Sequence, residues 1–468
     1  MFKKFQHIHF VGIGGSGMSG IAEVLLNLGY KVSGSDLKET ETINRLKSLG
    51  GEIFIGHRES NTKNADVVVV STAIDVSNVE VTAAIRDKVP VIPRIEMLAE
   101  LMRLKYGVAI AGTHGKTTTT SLVALVLAKG GLDPTAIIGG KLNNIGSHAK
   151  LGQGEYLVAE ADESDGSFLK LTPTIGVITN IDNDHLDYWK SIEKLHQGFI
   201  DFANKVPFYG STIVCGDDPG VRQIIPQIKR RYITYGLAVN HISNHDLIAQ
   251  NIEFSGFGTQ FEVVYNENTL GQIKMQVPGL HNVYNALAAI GVGLELGVPF
   301  EVIKEGLSEF RGVVRRLQLK GEINKIVVMD DYGHHPTEIR ATLDAIKRYW
   351  KGRLVVVFQP HRFSRTRLLI EEFGKVFGQA DELFVLDIYS AGEKFIPGVD
   401  AQLLIDTIKK NGYNKVRHLP GRKEAVDFLA TYVKSGDLVL TLGAGDVWKT
   451  GEELLEQLAS ASRNSTKV

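Results

Sequence analysis

A short loop separates an apolar strand pattern from a helical one. Val108-Ala109-Ile110-Ala111 leads into Gly112-Thr113-His114-Gly115-Lys116-Thr117-Thr118, and helix-forming residues then run to Lys129 before Gly130-Gly131. A buried strand, a glycine loop and a helix in that order constrain the chain to an α/β sheet whose strand ends carry ligands. Glycines let the backbone close around phosphate oxygens, and amides at the helix N-terminus point at them. Lys116 is placed to reach β- and γ-phosphates, and the Thr117 hydroxyl to ligate Mg²⁺. The spacing departs from the common G-x-x-x-x-G-K-[ST] pattern, whose first glycine would fall on Ile110. Glycine stands at 112 instead, which shortens the loop. A glycine turn before an ordinary helix would need neither Lys116 nor Thr117, so the stretch reads as an ATP site.

The chain has 468 residues, and at ~100–200 residues per domain that length suggests about three domains. The 52 basic and 53 acidic residues leave a net charge of −1, so no basic surface argues for nucleic acid or an anionic membrane. One cysteine, Cys215, rules out an intrachain disulfide framework and fits a reducing cytoplasm. Gln6, His7 and His9 interrupt any signal-peptide core. The longest aliphatic stretches, such as Leu122–Ala128, fall far below the ~20 residues that span a bilayer. A soluble cytoplasmic protein is expected, with a polar tail from Ala459 that frays.

Strands followed by helices recur along the chain, the signature of parallel α/β sheets. A strand at 7–11, a helix over Ser19–Leu28, a strand ending near Asp36 and a strand over Asp66–Ser71 are followed by an amphipathic helix after Pro93. These make a first domain, 1–105. The phosphate loop opens a second, 106–310, in which the polar stretch Asn240–Val277 reads as an antiparallel insertion. The third, 311–468, places strands at Ile326–Asp330, Leu354–Phe358, Leu383–Asp387 and Leu438–Leu442. The fold class is therefore α/β in three domains. Rossmann-like first and last domains flank a P-loop domain with a parallel sheet and a small antiparallel part.

The first strand runs into Gly12-Ile13-Gly14-Gly15-Ser16-Gly17, with Asp36 about 20 residues on. This pattern gives a tight turn, a close approach to a diphosphate, and a carboxylate for ribose hydroxyls. Alone it would favour a nicotinamide dehydrogenase, but a sugar nucleotide presents the same diphosphate and ribose, and the chain has a separate ATP loop. Glu160 ends the strand Tyr156–Ala159 beside that loop, where such ATPases hold Mg²⁺. His185 lies within Asp182-Asn183-Asp184-His185-Leu186-Asp187, where a second hard cation could bind; solvated loop charge also accounts for these aspartates. His281-Asn282-Val283-Tyr284-Asn285 puts two amides on one helical face, able to read an adenine edge, or alternatively lets Asn282 cap the helix. In the third domain Asp331-Tyr332-Gly333-His334-His335-Pro336 and Gln359-Pro360-His361-Arg362-Phe363-Ser364-Arg365-Thr366-Arg367 follow strand ends. Arginines at 362, 365 and 367 make a fork suited to a carboxylate or phosphate.

Taken together, these motifs resemble the Mur ligases of peptidoglycan synthesis over nearly the whole chain. The most specific pieces are Gly12–Met18, Gly112–Thr118, Glu160–Asp165, Asp331–Pro336 and Gln359–Thr366. The resemblance implies ATP-dependent ligation of L-alanine to the carboxylate of UDP-N-acetylmuramate through an acyl phosphate. It implies Gly112, Thr113, His114, Gly115, Lys116, Thr117 and Thr118 on the phosphates, with His281, Asn282, Asn285, Arg316 and Asp331 around the rest of ATP. For the substrates it implies Gly14, Gly15, Ser16, Gly17, Met18, Asp36, Ser71, Arg94, Asn180, His335, His361, Arg362 and Arg365. Of these, Arg362 and Arg365 are candidates to hold the alanine carboxylate. It implies Lys116, Glu160, His185, His334 and Arg365 as catalytic, with His334 or His335 as base. It implies Thr117, Glu160 and His185 as ligands of Mg²⁺, for which Mn²⁺ can substitute. Relatives adding later amino acids use a carbamylated lysine between two metals, but the setting of Lys205 does not fit that motif, so the second cation is assigned to Glu160 and His185. A monomer or homodimer is expected. The alternative within the family joins a whole tripeptide to the same sugar nucleotide in cell-wall recycling. A catalytically dead nucleotide-binding regulator would not need Lys116, Thr117 and Glu160 intact.

Overall fold

The computed structural model describes residues 6–71, 73–138, 149–238 and 244–465, the side chains of Ser16, Ala149, Lys150, Asp187 and residues 462–465 excepted. Among them lie three sheets, of five, ten and six strands. The first runs in the spatial order Glu52–Ile55, Lys31–Asp36, His7–Val11, Val67–Val70, Val91–Pro93, and every neighbour is parallel. Alternation along its strands feeds two cores: Ile8, Phe10, Val67 and Val69 face one, Val11 and Val68 the other. Parallel strands covered on both faces read as unbroken aliphatic runs, which is why Val67-Val68-Val69-Val70 announced itself in the sequence.

In the second sheet Tyr106–Ala111 lies between Ile175–Ile178 and Tyr156–Glu160, parallel to both. Ser211–Cys215 and Tyr232–Leu237 extend it on one side. Three further strands follow, Leu247–Ser255, Gly258–Tyr265 and Asn268–Met275. Two-residue links such as Gly256-Phe257 allow only antiparallel pairing, so the expected antiparallel part is present; its first residues, 240–243, fall outside the described set. The helix Lys116–Lys129 starts at the carboxyl end of Tyr106–Ala111 and is buried along most of its length.

The third sheet has the order Gln318–Ile323, Ile326–Asp331, Leu438–Leu442, Leu354–Phe358, Glu382–Val385, Val416–His418. All pairs are parallel except the first, which is antiparallel and irregular between Leu319 and Gly321. Val356 and Leu440 face one core, Val355 and Val439 the other. A fully buried aliphatic side chain of this kind contributes about 1.5–3 kcal/mol. The strand Gln318–Ile323 was not anticipated, because Gly321 breaks its alternation. The strand expected to reach Asp387 ends at Val385. The helix Trp448–Ser465, anchored by the buried Leu454 and Leu458, runs into the tail expected to fray as far as Ser465, and residues 466–468 fall outside the described set.

By packing, the described chain forms two compact units. One comprises residues up to Ile252, Gln260–Met275 and Asn282–Arg311; the other comprises Glu253–Thr259, Gln276–His281 and Gly312 onward. The first two sheets share one continuous core, from Ile8 and Met97 to Phe199 and Ile228. Among the described residues no helix is long and apolar enough to cross a membrane.

Candidate functional site

The phosphate loop is held open by neighbouring strand ends. Gly112 and Gly115 have φ of 133° and 81°, conformations that favour glycine. A Cβ on Gly112 would run into the Thr179 hydroxyl, and one on Gly115 would lie 2.6 Å from Asn285 Oδ1. Asn180 clasps the loop: its Oδ1 accepts from the His114 amide at 2.8 Å and its Nδ2 donates to the His114 carbonyl at 3.0 Å. The Thr179 hydroxyl donates to the same carbonyl at 2.7 Å. The Asp182 amide donates to Thr113 Oγ1, and the Asp182 carboxylate meets His114 Nε2 at 3.0 Å. Asp182, which solvated loop charge had also explained, is thus a loop anchor.

Lys116 opens the helix and folds back over the loop. Its Nζ donates to the Gly112 and Thr113 carbonyls at 2.6 and 3.2 Å and pairs with Glu163 Oε2 at 2.8 Å. Burial would lower the pKa of this ammonium, but the carboxylates of Glu163, Asp162 and Glu160 hold it above its ordinary value. The Thr117 hydroxyl donates to Glu160 Oε2 at 3.2 Å. His185, in a left-handed conformation at φ 58°, points Nε2 at Asp184 (3.5 Å) and Glu163 (3.9 Å). Glu163 is 1% exposed, and burial raises its pKa despite Lys116. Within Glu160–Asp165 it carries no role that the local pattern assigns, because burial, which distinguishes it, is not written in the local sequence. Lys205 is exposed at the end of the helix Ile192–Asn204.

Thr118 is buried in the first turn of the helix, and Thr119 donates to Asn285 Oδ1 at 3.1 Å. Asn285 in turn donates to Asn282 Oδ1 at 3.2 Å. The two amides do share a helical face. Asn282 does not cap the helix, which already begins at Leu280 after Gly279 at φ 99°.

At the first sheet, Asp36 Oδ2 accepts from the Gly14 amide at 2.8 Å and Oδ1 from the Leu37 amide. Gly15 precedes the helix Ser16–Asn27, in which Met18 is buried; the Ser16 side chain lies outside the described residues. The Arg94 guanidinium lies against Gly17, where an added Cβ would meet Nη1 at 2.9 Å. Ser71 accepts from the Ala73 amide. Beneath these strand ends is a network that sequence reasoning missed. Glu80, fully buried, accepts from Ser35, Asn61 and the Arg58 amide, with His57 and His9 beside it. Burial would raise its pKa, yet the nearby His9 imidazole and hydrogen bonds from Ser35 and Asn61 bring it to about 2.

In the other unit Asp331 is buried, and its oxygens accept from the Leu317 and Gly333 amides and the Thr342 hydroxyl. Burial raises its pKa to about 6. His335 caps the helix Pro336–Tyr349, its Nδ1 accepting from the Thr337 amide, with Glu338 completing a capping box. His334 Nδ1 faces the Tyr332 carbonyl at 3.1 Å, so that nitrogen carries the proton and Nε2 keeps its lone pair. Burial lowers the His334 pKa to about 4, and that of His361, beside His334, Arg365 and Arg362, to about 3. Arg365 Nη1 donates to His361 Nδ1 at 3.4 Å, and His361 stacks on Tyr389. Arg362 and Arg367 are exposed. Arg316 lies over the Tyr332 ring and 3.5 Å from Glu338, and His281, lowered to about 4 by burial, feels its charge.

Sequence models of three Mur ligase modules match consecutive parts of the chain: the Mur ligase family catalytic domain at 7–106, the middle domain at 110–293 and the glutamate ligase domain at 315–445. The UDP-N-acetylmuramate–L-alanine ligase of Geotalea uraniireducens is 58% identical over 458 residues, 98% of this chain and 99% of that protein. Among solved structures, UDP-N-acetylmuramate-alanine ligase from Thermotoga maritima aligns with a TM-score of 0.82 at 30% identity, covering 97% of this chain and 99% of that one. A murein peptide ligase from Psychrobacter arcticus aligns with a TM-score of 0.73 at 26% identity, over 97% and 98%. With a phosphate loop clasped at the ends of a parallel sheet, and three family modules in order along one chain, this protein belongs to the Mur ligase family.

Proposed function

We propose that the chain joins L-alanine to the carboxylate of UDP-N-acetylmuramate, converting ATP to ADP and phosphate, in the building of the cell-wall peptide. The observation that carries this reading is the 58% identity to an L-alanine ligase over 98% of the chain. A carboxylate resists amines until one oxygen becomes a leaving group. Its attack on the γ-phosphorus gives an acyl phosphate and ADP; the alanine amine then attacks the carbonyl carbon, and phosphate leaves. Lys116, freed from Glu163, is positioned to offset phosphate charge, and the amides around Gly115 to bind the phosphate oxygens. Asn282 and Asn285 serve the adenine side, with Asp331 and Arg316 near the nucleotide. Arg362 and Arg365 hold the alanine carboxylate, and His334 Nε2, kept unprotonated, takes the amine's proton. The Gly14–Met18 loop and Asp36 hold the UDP moiety.

Mg²⁺ fits the residues present, because Glu160, Asp162 and Glu163 outnumber Lys116. Thr117 and Glu160 would hold one ion and Glu160 and His185 a second, and the ions would supply positive charge to the phosphates. The division of labour is 1–105 for the sugar nucleotide, 106–310 for ATP and 311–468 for the amino acid. The cytoplasm, which supplies ATP, is the proposed compartment. The decisive experiment measures phosphate release with UDP-N-acetylmuramate and either L-alanine or L-alanyl-γ-D-glutamyl-diamino acid as acceptor. A kcat/KM at least ~10-fold higher for L-alanine is expected, a difference of ~1.4 kcal/mol. A preference for the tripeptide overturns the reading while sparing the fold.

A further inference from the structure

Glu163 stands out among the buried ionisable groups. One carboxylate oxygen is bound to Lys116, while Oε1 is fully enclosed and has no hydrogen-bond partner. An orphan carboxylate oxygen in a dry site is costly, and native structures keep such groups for a reason. It faces His185 Nε2 at 3.9 Å, a separation that two ligands of one small divalent cation span, since Mg²⁺ takes its ligands at about 2.1 Å. The alignment is built in. The Trp189 indole, one turn beyond His185, donates to the Glu163 backbone carbonyl at 2.9 Å and ties the two segments together. Carboxylates in the cluster exceed the positive charges, with Glu160, Asp162 and Glu163 facing Lys116 and, more distantly, Arg94.

We propose that Glu163 is a cation ligand shared with His185, and that it exchanges Lys116 for the cation when nucleotide phosphates draw the lysine away. The inference rests on the ATP-dependent reading and adds a residue and an order of events to it. Without nucleotide, Lys116 neutralises Glu163 and the cation is held weakly. Once the ammonium moves to the phosphates, the buried carboxylate is left unpaired and binds the cation tightly. Lysine release and cation capture are thereby one coupled event.

The test counts Mn²⁺ ions by electron paramagnetic resonance, titrating the full chain with and without a non-hydrolysable ATP analogue. Wild type should bind two ions per chain with the analogue and fewer without it. Glu163→Gln should weaken the second ion at least 10-fold, while analogue affinity at saturating Mn²⁺ changes less than 3-fold. His185→Gln should lose the same ion, and the double variant should be no worse than either single one. Glu163→Asp, which keeps the charge, should restore part of the affinity and serves if the glutamine variant does not fold. Two ions bound with wild-type affinity by Glu163→Gln would overturn the proposal and leave a role confined to pairing with Lys116. A single ion in wild type, or capture independent of the analogue, would overturn it as well. If the analogue fails to bind wild type, the ATP reading falls, and the exchange with it.

Discussion

At the scale of single residues, the site is governed by groups that their neighbours hold in one conformation. Gly115 is the sharpest case. Any side chain there meets Asn285 Oδ1 and must adopt φ near 81°, a left-handed conformation that costs roughly 1–2 kcal/mol. Gly115→Ala should therefore weaken ATP-analogue binding at least ~10-fold, measured by calorimetry, with sugar-nucleotide affinity unchanged. His334 gives a prediction in pH. An ordinary imidazole is half protonated at 6.5, but burial brings His334 to about 4, so it stays neutral across the physiological range. After correction for the neutral fraction of alanine, kcat/KM should show no acid limb near 6.5 attributable to this residue, and His334→Asn should lower kcat about 10²-fold. A limb near 6.5 that vanishes in the variant would contradict the assignment. The phosphate loop, the Glu160 strand end and the paired amides were legible because each is a local pattern of residue type and spacing. Glu163, Glu80 and Asp182 were not, because their meaning lies in burial and in partners 19 to 69 positions away.

Elements were legible in proportion to their burial. Parallel strands such as Val67–Val70 and Leu438–Leu442 are covered on both faces and show as aliphatic runs. Edge strands escaped notice, Gln318–Ile323 because an irregularity interrupts its period, and Val416–His418 because it is three residues long. The helix Val79–Arg86 illustrates what an element contributes beyond its apolar face. It carries Glu80 among donors from Ser35, in the strand that also presents Asp36, and from Asn61, in the short helix Glu59–Thr62. Glu80's folded pKa, about 2, lies below the ordinary 4.5. Its stabilisation is therefore complete above about pH 4.5 and lost as the pH falls towards 2. Glu80→Gln should destabilise the protein by ~1–3 kcal/mol at pH 7. The gap to wild type in denaturant melts should narrow between pH 5 and pH 2.5. A gap independent of pH would show that Glu80 acts through shape rather than charge.

On the scale of the whole molecule, sequence boundaries and packing boundaries answer different questions. Motif order divides the chain into three, whereas the hydrophobic core joins the first two sheets. The helix Arg94–Met102 buries Met97, Leu98, Leu101 and Met102 in that joint core. A fragment 1–105 would expose them and should collapse without a cooperative transition, while residues 312–468, with cores on both faces of their own sheet, should fold alone. Circular dichroism melts of the two fragments decide it. Cooperative unfolding of 1–105 would mean the shared core is dispensable.

The margins of the sheets bear on how such a chain survives in a crowded cell. The first sheet ends at Glu52–Ile55 and Val91–Pro93, four and three residues long, the latter closed by proline. The third ends at three-residue Val416–His418 and at a strand bent beside Lys320. Neither presents a long, flat row of free amides and carbonyls, the template on which chains add strand to strand. The margins of these two sheets are thereby shielded from edge-to-edge aggregation.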